Sequence, residues 1–250
     1  MVLKKEALIS SRETARVYKI DHMAVKVFKK DHPVSEVLNE ALNSARVEEA
    51  GVTIPKLIEI SKIEDEWAIS TEFIEGKTLK QLMDENPADV HKYIEMMVEL
   101  QIDINSRRCP LLNRMKEKLT RQIQSVEEID DGTKYELLTR LESMPKHVKL
   151  CHGDFNPSNI IVSGDKVYIL DWVHATQGNA SADVARTYLL LSLESAAKAE
   201  DYMDTFCKKT GTDKRYVQRW LPIVAAAQLT KKRPEEKELL LKWADVVEYQ

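Results

Sequence analysis

The chain has 250 residues, 43% of them hydrophobic and 31% charged, an ordinary globular balance with enough chain for one large domain or two lobes around a shared cleft. The net charge of −4 carries no basic signature and argues against a nucleic-acid binder. Cys109, Cys151 and Cys207 are far apart, odd in number and without a C-x-x-C pair, so they read as reduced thiols; with no signal-like start and no apolar run of membrane length, a cytoplasmic protein with no membrane partner is expected.

In chain order, ARVYKI (15–20) and MAVKVF (23–28) are β-branched runs on either side of Asp21-His22, which reads as a tight turn. Over residues 35–49, Val37, Leu38, Ala41, Leu42 and Ala45 recur at helical spacing, and Gly51 supplies a stop. KLIEI (56–60) and EWAISTEFI (66–74) return to strand around a charged turn, until Glu75-Gly76 breaks the pattern. Residues 1–76 are thus expected to form a β-rich lobe with one helix. Beyond Lys77 the pattern predicts helices at 78–85, 88–105, 111–129 and 133–143, with Pro87, Pro110 and Asp131-Gly132 in the linkers. Two short strands, 160–162 and 167–170, precede a mostly helical remainder, so residues 77–250 are expected to form a mainly helical second lobe in an α+β fold.

The segment CHGDFNPSNI (151–160) is too polar for a core. It leads into a hairpin signal, Ser163-Gly164-Asp165-Lys166, between the two short strands. With the turn centred near Asp165, antiparallel pairing would put Asn159 almost directly opposite Asp171, about 4.5–5.5 Å away, with Asp154 on the loop just before. Hard oxygen ligands presented in this way suit Mg²⁺.

His152-Gly153-Asp154 followed by Asn159 has the H-x-D-x-x-x-x-N spacing of the protein-kinase catalytic loop, and Asp171-Trp172-Val173 stands where the magnesium-binding D-F-G would follow. In its details, HGDFNPSNIIV with ILDW resembles the aminoglycoside phosphotransferase and choline kinase family of small-molecule kinases, from about residue 5 to the C terminus. The resemblance implies a two-lobed protein-kinase-like fold. Asp154 would be catalytic, orienting a substrate hydroxyl and accepting its proton, while Asn159 and Asp171 would hold Mg²⁺. Met23-Ala24-Val25-Lys26 looks like the strand-three V-A-I-K, and alternation places Ala24, Lys26 and Phe28 on one face. Lys26 would then hold the phosphates of ATP, with Lys29 and Lys30 as solvated strand lysines. Glu40 resembles the helix carboxylate that fixes such a Lys, and Glu36, one turn earlier, competes with it. Thr71-Glu72-Phe73-Ile74 looks like the hinge, where the main chain of Glu72 and Ile74 would pair with adenine. Asp183, in SADVARTYLLL, resembles the Asp that braces the catalytic loop, and His152 reads as a structural hydrogen-bonder.

The chain departs from the kinase pattern in three places. No G-x-G-x-x-G exists; residues 9–16 read ISSRETAR, where hydroxyls and amides would contact phosphate and Arg12 or Arg16 would add charge. Gly153 replaces the Arg of H-R-D. Between Asp171 and Asp183 lie only eleven residues, with no A-P-E, too few for a peptide-docking activation loop. The expected activity is therefore transfer of the γ-phosphoryl group of ATP to the hydroxyl of a small molecule bound by helices after Asp183 and by residues 111–145. Glu194, Glu200, Asp201 and Asp204, with Trp220 and Trp243, suggest a cationic acceptor, an amino sugar or amino alcohol. The rival reading is a pseudokinase-like nucleotide-binding module without turnover.

Overall fold

The structure, a computed structural model, describes residues 7–12 and 14–245; Glu13 of the 9–16 segment and residue 5, where the resemblance begins, lie outside the described residues. Alternating β-branched and polar residues build an antiparallel sheet from β1 (Leu8–Ser11), β2 (Ala15–Ile20), β3 (Met23–Phe28), β4 (Leu57–Ile63) and β5 (Glu66–Glu72), in the order β1-β2-β3-β5-β4. β2 and β3 turn at Asp21, whose φ of 53° is a conformation that Asp tolerates better than most residues. The charged turn between β4 and β5 is Glu64-Asp65, with φ values of 50° and 67°, the left-handed pair that a two-residue hairpin favours.

Period-two alternation separates the faces of this sheet as the sequence predicts. Val25 and Val27 pack with Tyr18, Ile63 and Ala68 on one side, and Phe28 packs with Ala15, Ile69, Val37 and Ala41 on the other. The last two belong to α1 (Val34–Glu49). Its buried face differs from the expected stripe: Leu38 and Leu42 are 45% and 47% exposed, whereas Glu40 and Asn43 are buried. Each exposed Leu follows a buried residue, Val37 or Ala41, about 100° further round the helix. The polar pair occupies the face because it has partners there.

The chain continues with β6 (Lys77–Thr78), α2 (Leu79–Glu85), α3 (Val90–Ser106), α4 (Met115–Ser125) and α5 (Asp131–Ser143). Then come β7 (Lys149–Cys151), β8 (Ile160–Ser163), β9 (Lys166–Ile169) and β10 (Thr176–Gly178). It closes with α6 (Ala180–Glu194), α7 (Ala196–Thr210), α8 (Lys214–Gln218), α9 (Leu221–Leu229) and α10 (Pro234–Ala244). Two compact units result, residues 1–82 with 158–174 and residues 83–157 with 175–250; the expected lobe boundary at 76 and 77 falls within the first.

In the first unit, β6, β8 and β9 form a small sheet in that order. Pairing of Ser163 with Lys166 and of Ile160 with Ile169 leaves Gly164-Asp165 as the turn, centred half a residue before the expected position. The register therefore slips by one. Leu170 N–H donates to the Asn159 carbonyl at 2.8 Å, so Asp171 lies one residue beyond the position opposite Asn159.

In the second unit α9 is buried along its whole length, and α4, α5, α6 and α10 pack against it. The helix expected over 111–129 is shorter because its start forms a turn, closed by Leu112 N–H on the Cys109 carbonyl, that is tied to β10. Gln177 Nε2 donates to the carbonyls of Pro110 and Leu112, both at 2.7 Å, and Gln177 N–H donates to Asn113. Asp131-Gly132, expected as a linker, opens α5 instead, because the Asp130 carboxylate caps the Thr133 N–H at 3.0 Å. Among the described residues the cysteines form no disulfide, and no helix is long and apolar enough to cross a membrane.

Gly76 allows the chain to lie flush against β8, since a Cβ there would stand 2.3 Å from the Val162 carbonyl oxygen and 2.9 Å from Ile161 Cγ2. Gly76→Ala should lower the urea-unfolding free energy by roughly 1–3 kcal/mol, the usual cost of overpacking. An unchanged midpoint would mean that the β6 connection gives way without cost.

Candidate active site

In the first unit, the alternation that points Phe28 toward α1 also points Lys26 there. Lys26 Nζ lies 2.6 Å from Glu40 Oε1 and 3.9 Å from Asp171 Oδ1. Burial pushes the Glu40 carboxyl up from its ordinary range, Lys26 pulls it down, and nearby Asp171 pushes it up again. Glu36 instead faces His32 at 3.7 Å with a 63% exposed side chain, and Lys29 and Lys30 are exposed. Of the competing residues, Lys26 and Glu40 are thus the two brought together.

Asp171 sits at the end of the hairpin with a left-handed φ of 63°, a sparsely populated conformation for a non-glycine residue. The segment behind it is anchored. Trp172 is buried, its indole N–H donates to the Ile169 carbonyl at 3.1 Å, and Asn43 Nδ2 on α1 donates to the Trp172 carbonyl at 3.4 Å. The helix that carries Glu40 therefore also ties down the chain next to Asp171. Arg12, in the turn after β1, reaches Asp171 Oδ2 at 3.0 Å, whereas Arg16 pairs with Glu66. Asn159 is buried at the open end of the same hairpin. Glu72 ends β5 opposite Met23, its N–H taken by the Lys56 carbonyl at 2.9 Å, and Ile74 lies two residues beyond the strand.

In the second unit, Asp154 is half-buried on a loop whose path is set by Asp183. The Asp183 carboxylate accepts the main-chain N–H of Gly153 at 2.8 Å and of His152 at 3.2 Å. Gln101 and Asn105 on α3 donate to it as well, at 3.0 and 3.2 Å. Gly153 has φ of 80°, which explains a glycine where protein kinases carry Arg. His152 is fully buried, and its Nδ1 accepts the Asp154 N–H at 3.1 Å, the structural role expected of it. Asn156 Nδ2 donates to the Asp154 carbonyl at 3.0 Å and to its Oδ2 at 3.4 Å.

The sequence profile of the family described as "Phosphotransferase enzyme family" matches residues 6–220. The chain belongs to that family. Similar solved structures include a ternary complex of a thermostable mutant of aminoglycoside phosphotransferase APH(4)-Ia with AMP-PNP and hygromycin B, at 14% identity and TM-score 0.71, covering 97% of this chain and 92% of that one. Choline kinase LicA from Streptococcus pneumoniae aligns at 15% identity and TM-score 0.66, covering 97% and 93%. A choline/ethanolamine kinase family protein from Mesorhizobium loti aligns at 14% identity and TM-score 0.64, covering 96% and 88%. At these identities the likeness establishes the kinase-like α+β fold. A search of curated protein sequences finds no match.

For a member of this family, one further question is whether the residues fit Mg²⁺. Among the described residues no group of three or more His, Cys, Asp or Glu is arranged to hold a metal. The carboxylate of Asp171 and the carboxamide of Asn159 are still suitable, because Mg²⁺ commonly takes one or two protein oxygens and completes its shell with phosphate and water.

Several residues around the site escape the sequence motifs. Arg12 on Asp171, Asn43 behind Trp172, and Gln101 and Asn105 on Asp183 carry no local signature. Of the acids that suggested a cationic acceptor, Glu200, Asp201 and Asp204 make ion pairs. Lys214 Nζ lies 2.8 Å from Glu200 and 2.7 Å from Asp204, His91 pairs with Asp201, Trp220 is fully buried, and Trp243 stacks on Tyr188.

Asp183→Asn should cost about 1–3 kcal/mol of stability, because the amide would turn a donor toward a site already crowded with N–H groups. Chemical denaturation measures it. A wild-type value would mean that Asp183 is dispensable to the Asp154 loop.

Proposed function

We propose that this chain is an ATP- and magnesium-dependent kinase that transfers the γ-phosphoryl group to a hydroxyl of a small molecule. The observation that carries the reading is the contact of Lys26 with Glu40 at 2.6 Å, with Asp171 3.9 Å from the same ammonium. This is the charge set that phosphoryl transfer requires, since the protein's work in that reaction is positioning and neutralisation.

Lys26, oriented by Glu40, binds the nucleotide phosphates. Arg12 supplies a second cation from the turn after β1. The carbonyl of Glu72 and the main chain of Ile74 pair with the adenine edge. Asp171 and Asn159 are the residues that would hold Mg²⁺, which when bound neutralises phosphate charge. The Asp154 carboxylate, held by the Asn156 contact at 3.4 Å, aims the acceptor hydroxyl and takes its proton. The short interval between Asp171 and Asp183 supports a small acceptor over a peptide, and ATP as donor fits the cytoplasm. An amino sugar or amino alcohol is the acceptor suggested by the sequence; of the acids behind that suggestion, Glu200 and Asp204 pair with Lys214 and Asp201 pairs with His91.

Magnesium-dependent ATP consumption across a metabolite panel tests the reading. Asp154→Asn should leave nucleotide affinity near wild type and lower turnover by about a hundredfold or more, the usual loss for a positioned base. Asp171→Ala should weaken binding of the magnesium nucleotide itself. Lys26→Ala should lower activity while adenosine still binds. Nucleotide binding with no turnover for any metabolite would favour the pseudokinase alternative, and identical defects in the Asp154 and Asp171 variants would remove the division of roles.

A further inference from the structure

In the first unit, the guanidinium of Arg12 covers an oxygen that the kinase reading gives to metal. Its Nη1 lies 3.0 Å from Asp171 Oδ2. The backbone that carries it is fixed, because Arg12 N–H donates to the Ala15 carbonyl at 2.9 Å, and Ala15 pairs with Phe28 and is buried in the core beside α1. The side chain itself is not fixed in this way. It is 59% exposed, against 16% for Asp171, and among the described residues Asp171 is its one charged partner. Arg12 therefore closes over the carboxylate from the solvent side, on a side chain that can turn without moving the strand.

The neighbouring cations lack this freedom. Lys26 approaches Asp171 only at 3.9 Å, on the other oxygen, and is held by Glu40 at 2.6 Å, while Arg16 pairs with Glu66. A magnesium ion held by Oδ2 would stand about 2.0–2.1 Å from it, closer than Arg12 does now and within a few ångströms of the guanidinium, where like charges repel. Exposed ion pairs are weak, so Arg12 gives way once it has another partner. Nucleotide phosphates beside Lys26 supply one, since the planar N–H fork of Arg matches phosphate oxygens.

We propose that Arg12 is an exchange latch: it covers Asp171 while the site is empty and moves to the nucleotide phosphates as Asp171 takes up the metal. The latch rests on the kinase reading and adds regulation of the same site. Its effects on the two ligands have opposite signs. Toward a free divalent cation Arg12 is a competitor, because the displaced guanidinium gains nothing in return; toward the metal nucleotide it is a ligand. Each ligand thereby favours the other, and free divalent cations are kept off Asp171 until nucleotide arrives.

Two titrations of the full chain test this. Electron paramagnetic resonance of Mn²⁺, a stand-in for Mg²⁺, reads metal binding without nucleotide, and calorimetry reads binding of magnesium AMP-PNP. Arg12→Gln should tighten Mn²⁺ binding about threefold or more and weaken magnesium AMP-PNP binding by about as much, the range expected for one exposed charge pair. Arg12→Lys, which keeps the charge but not the planar fork, should fall between the two in both titrations. Adding Asp171→Asn to Arg12→Gln should abolish the gain in Mn²⁺ affinity, which assigns that gain to this carboxylate. A shift of the same sign in both titrations, or an Arg12→Gln chain that binds Mn²⁺ no better than wild type, would overturn the latch. A wild-type chain that binds no magnesium AMP-PNP at millimolar concentration would instead overturn the kinase reading, and the Mn²⁺ titration would still report whether Arg12 competes for Asp171.

Discussion

A buried carboxylate is tolerable only if its lone pairs are filled, and Asp183 shows how such a requirement organises a fold. It is 1% exposed. Its four donors come from two places: the N–H groups of His152 and Gly153 on the loop, and Gln101 and Asn105 on α3. Asn105 also donates to the Leu150 carbonyl, and Tyr202 on α7 donates to Gln101, so the network extends into β7 and α7. Removing one member leaves several others unsatisfied in a low-dielectric interior, where such defects are most costly. The loop that presents Asp154 is thereby held from beneath, through the main chain of His152 and Gly153.

The first unit meets a similar requirement with opposite charges. Burial of Glu40 on α1 is acceptable because Lys26 projects from β3 to meet it, and Asp171 adds a second carboxylate near the same ammonium. Two acids thus share one half-buried lysine, and Arg12 approaches the far oxygen of Asp171 from the turn after β1. That arrangement suits a site whose cargo brings both negative phosphates and a positive metal ion. The left-handed Asp171 is stabilised by the anchoring of Trp172 and by the Asn43 contact to its carbonyl, interactions that lie outside the site and are free to be optimised for stability.

How much of this could be read from the sequence depends on the range of the interaction. The strands 15–20 and 23–28, the face on which Lys26 lies and the spacing of Asp154, Asn159 and Asp171 are local patterns, set by alternation and by turn chemistry. The hairpin register was missed by one residue because Gly164-Asp165 and a turn centred on Asp165 are nearly degenerate as sequence signals. Leu38 and Leu42 illustrate a second limit: a helix with apolar residues on adjacent positions does not say which of them faces inward until the polar partners of Glu40 and Asn43 are known. β6 is invisible for a third reason, since two residues that pair with β8 have no periodicity of their own.

Charge was the least legible property, because its meaning depends on spatial neighbours. A run such as Glu200, Asp201 and Asp204 is conspicuous in the sequence, yet Glu200 and Asp204 share Lys214 and Asp201 pairs with His91, partners that the run itself does not announce. Lys118, Arg186 and Arg233 are scattered over more than a hundred positions and look like ordinary surface charges, yet α9 gathers the helices that carry them. The one local hint was Arg186, three residues after Asp183 and hence on the same side of α6. A single helix face then does two things: Asp183 fixes the amides of the loop, and Arg186 fixes the carbonyl of Gly153 between them and Asp154. The same turn of helix therefore holds the chain before Asp154 through both its amides and a carbonyl.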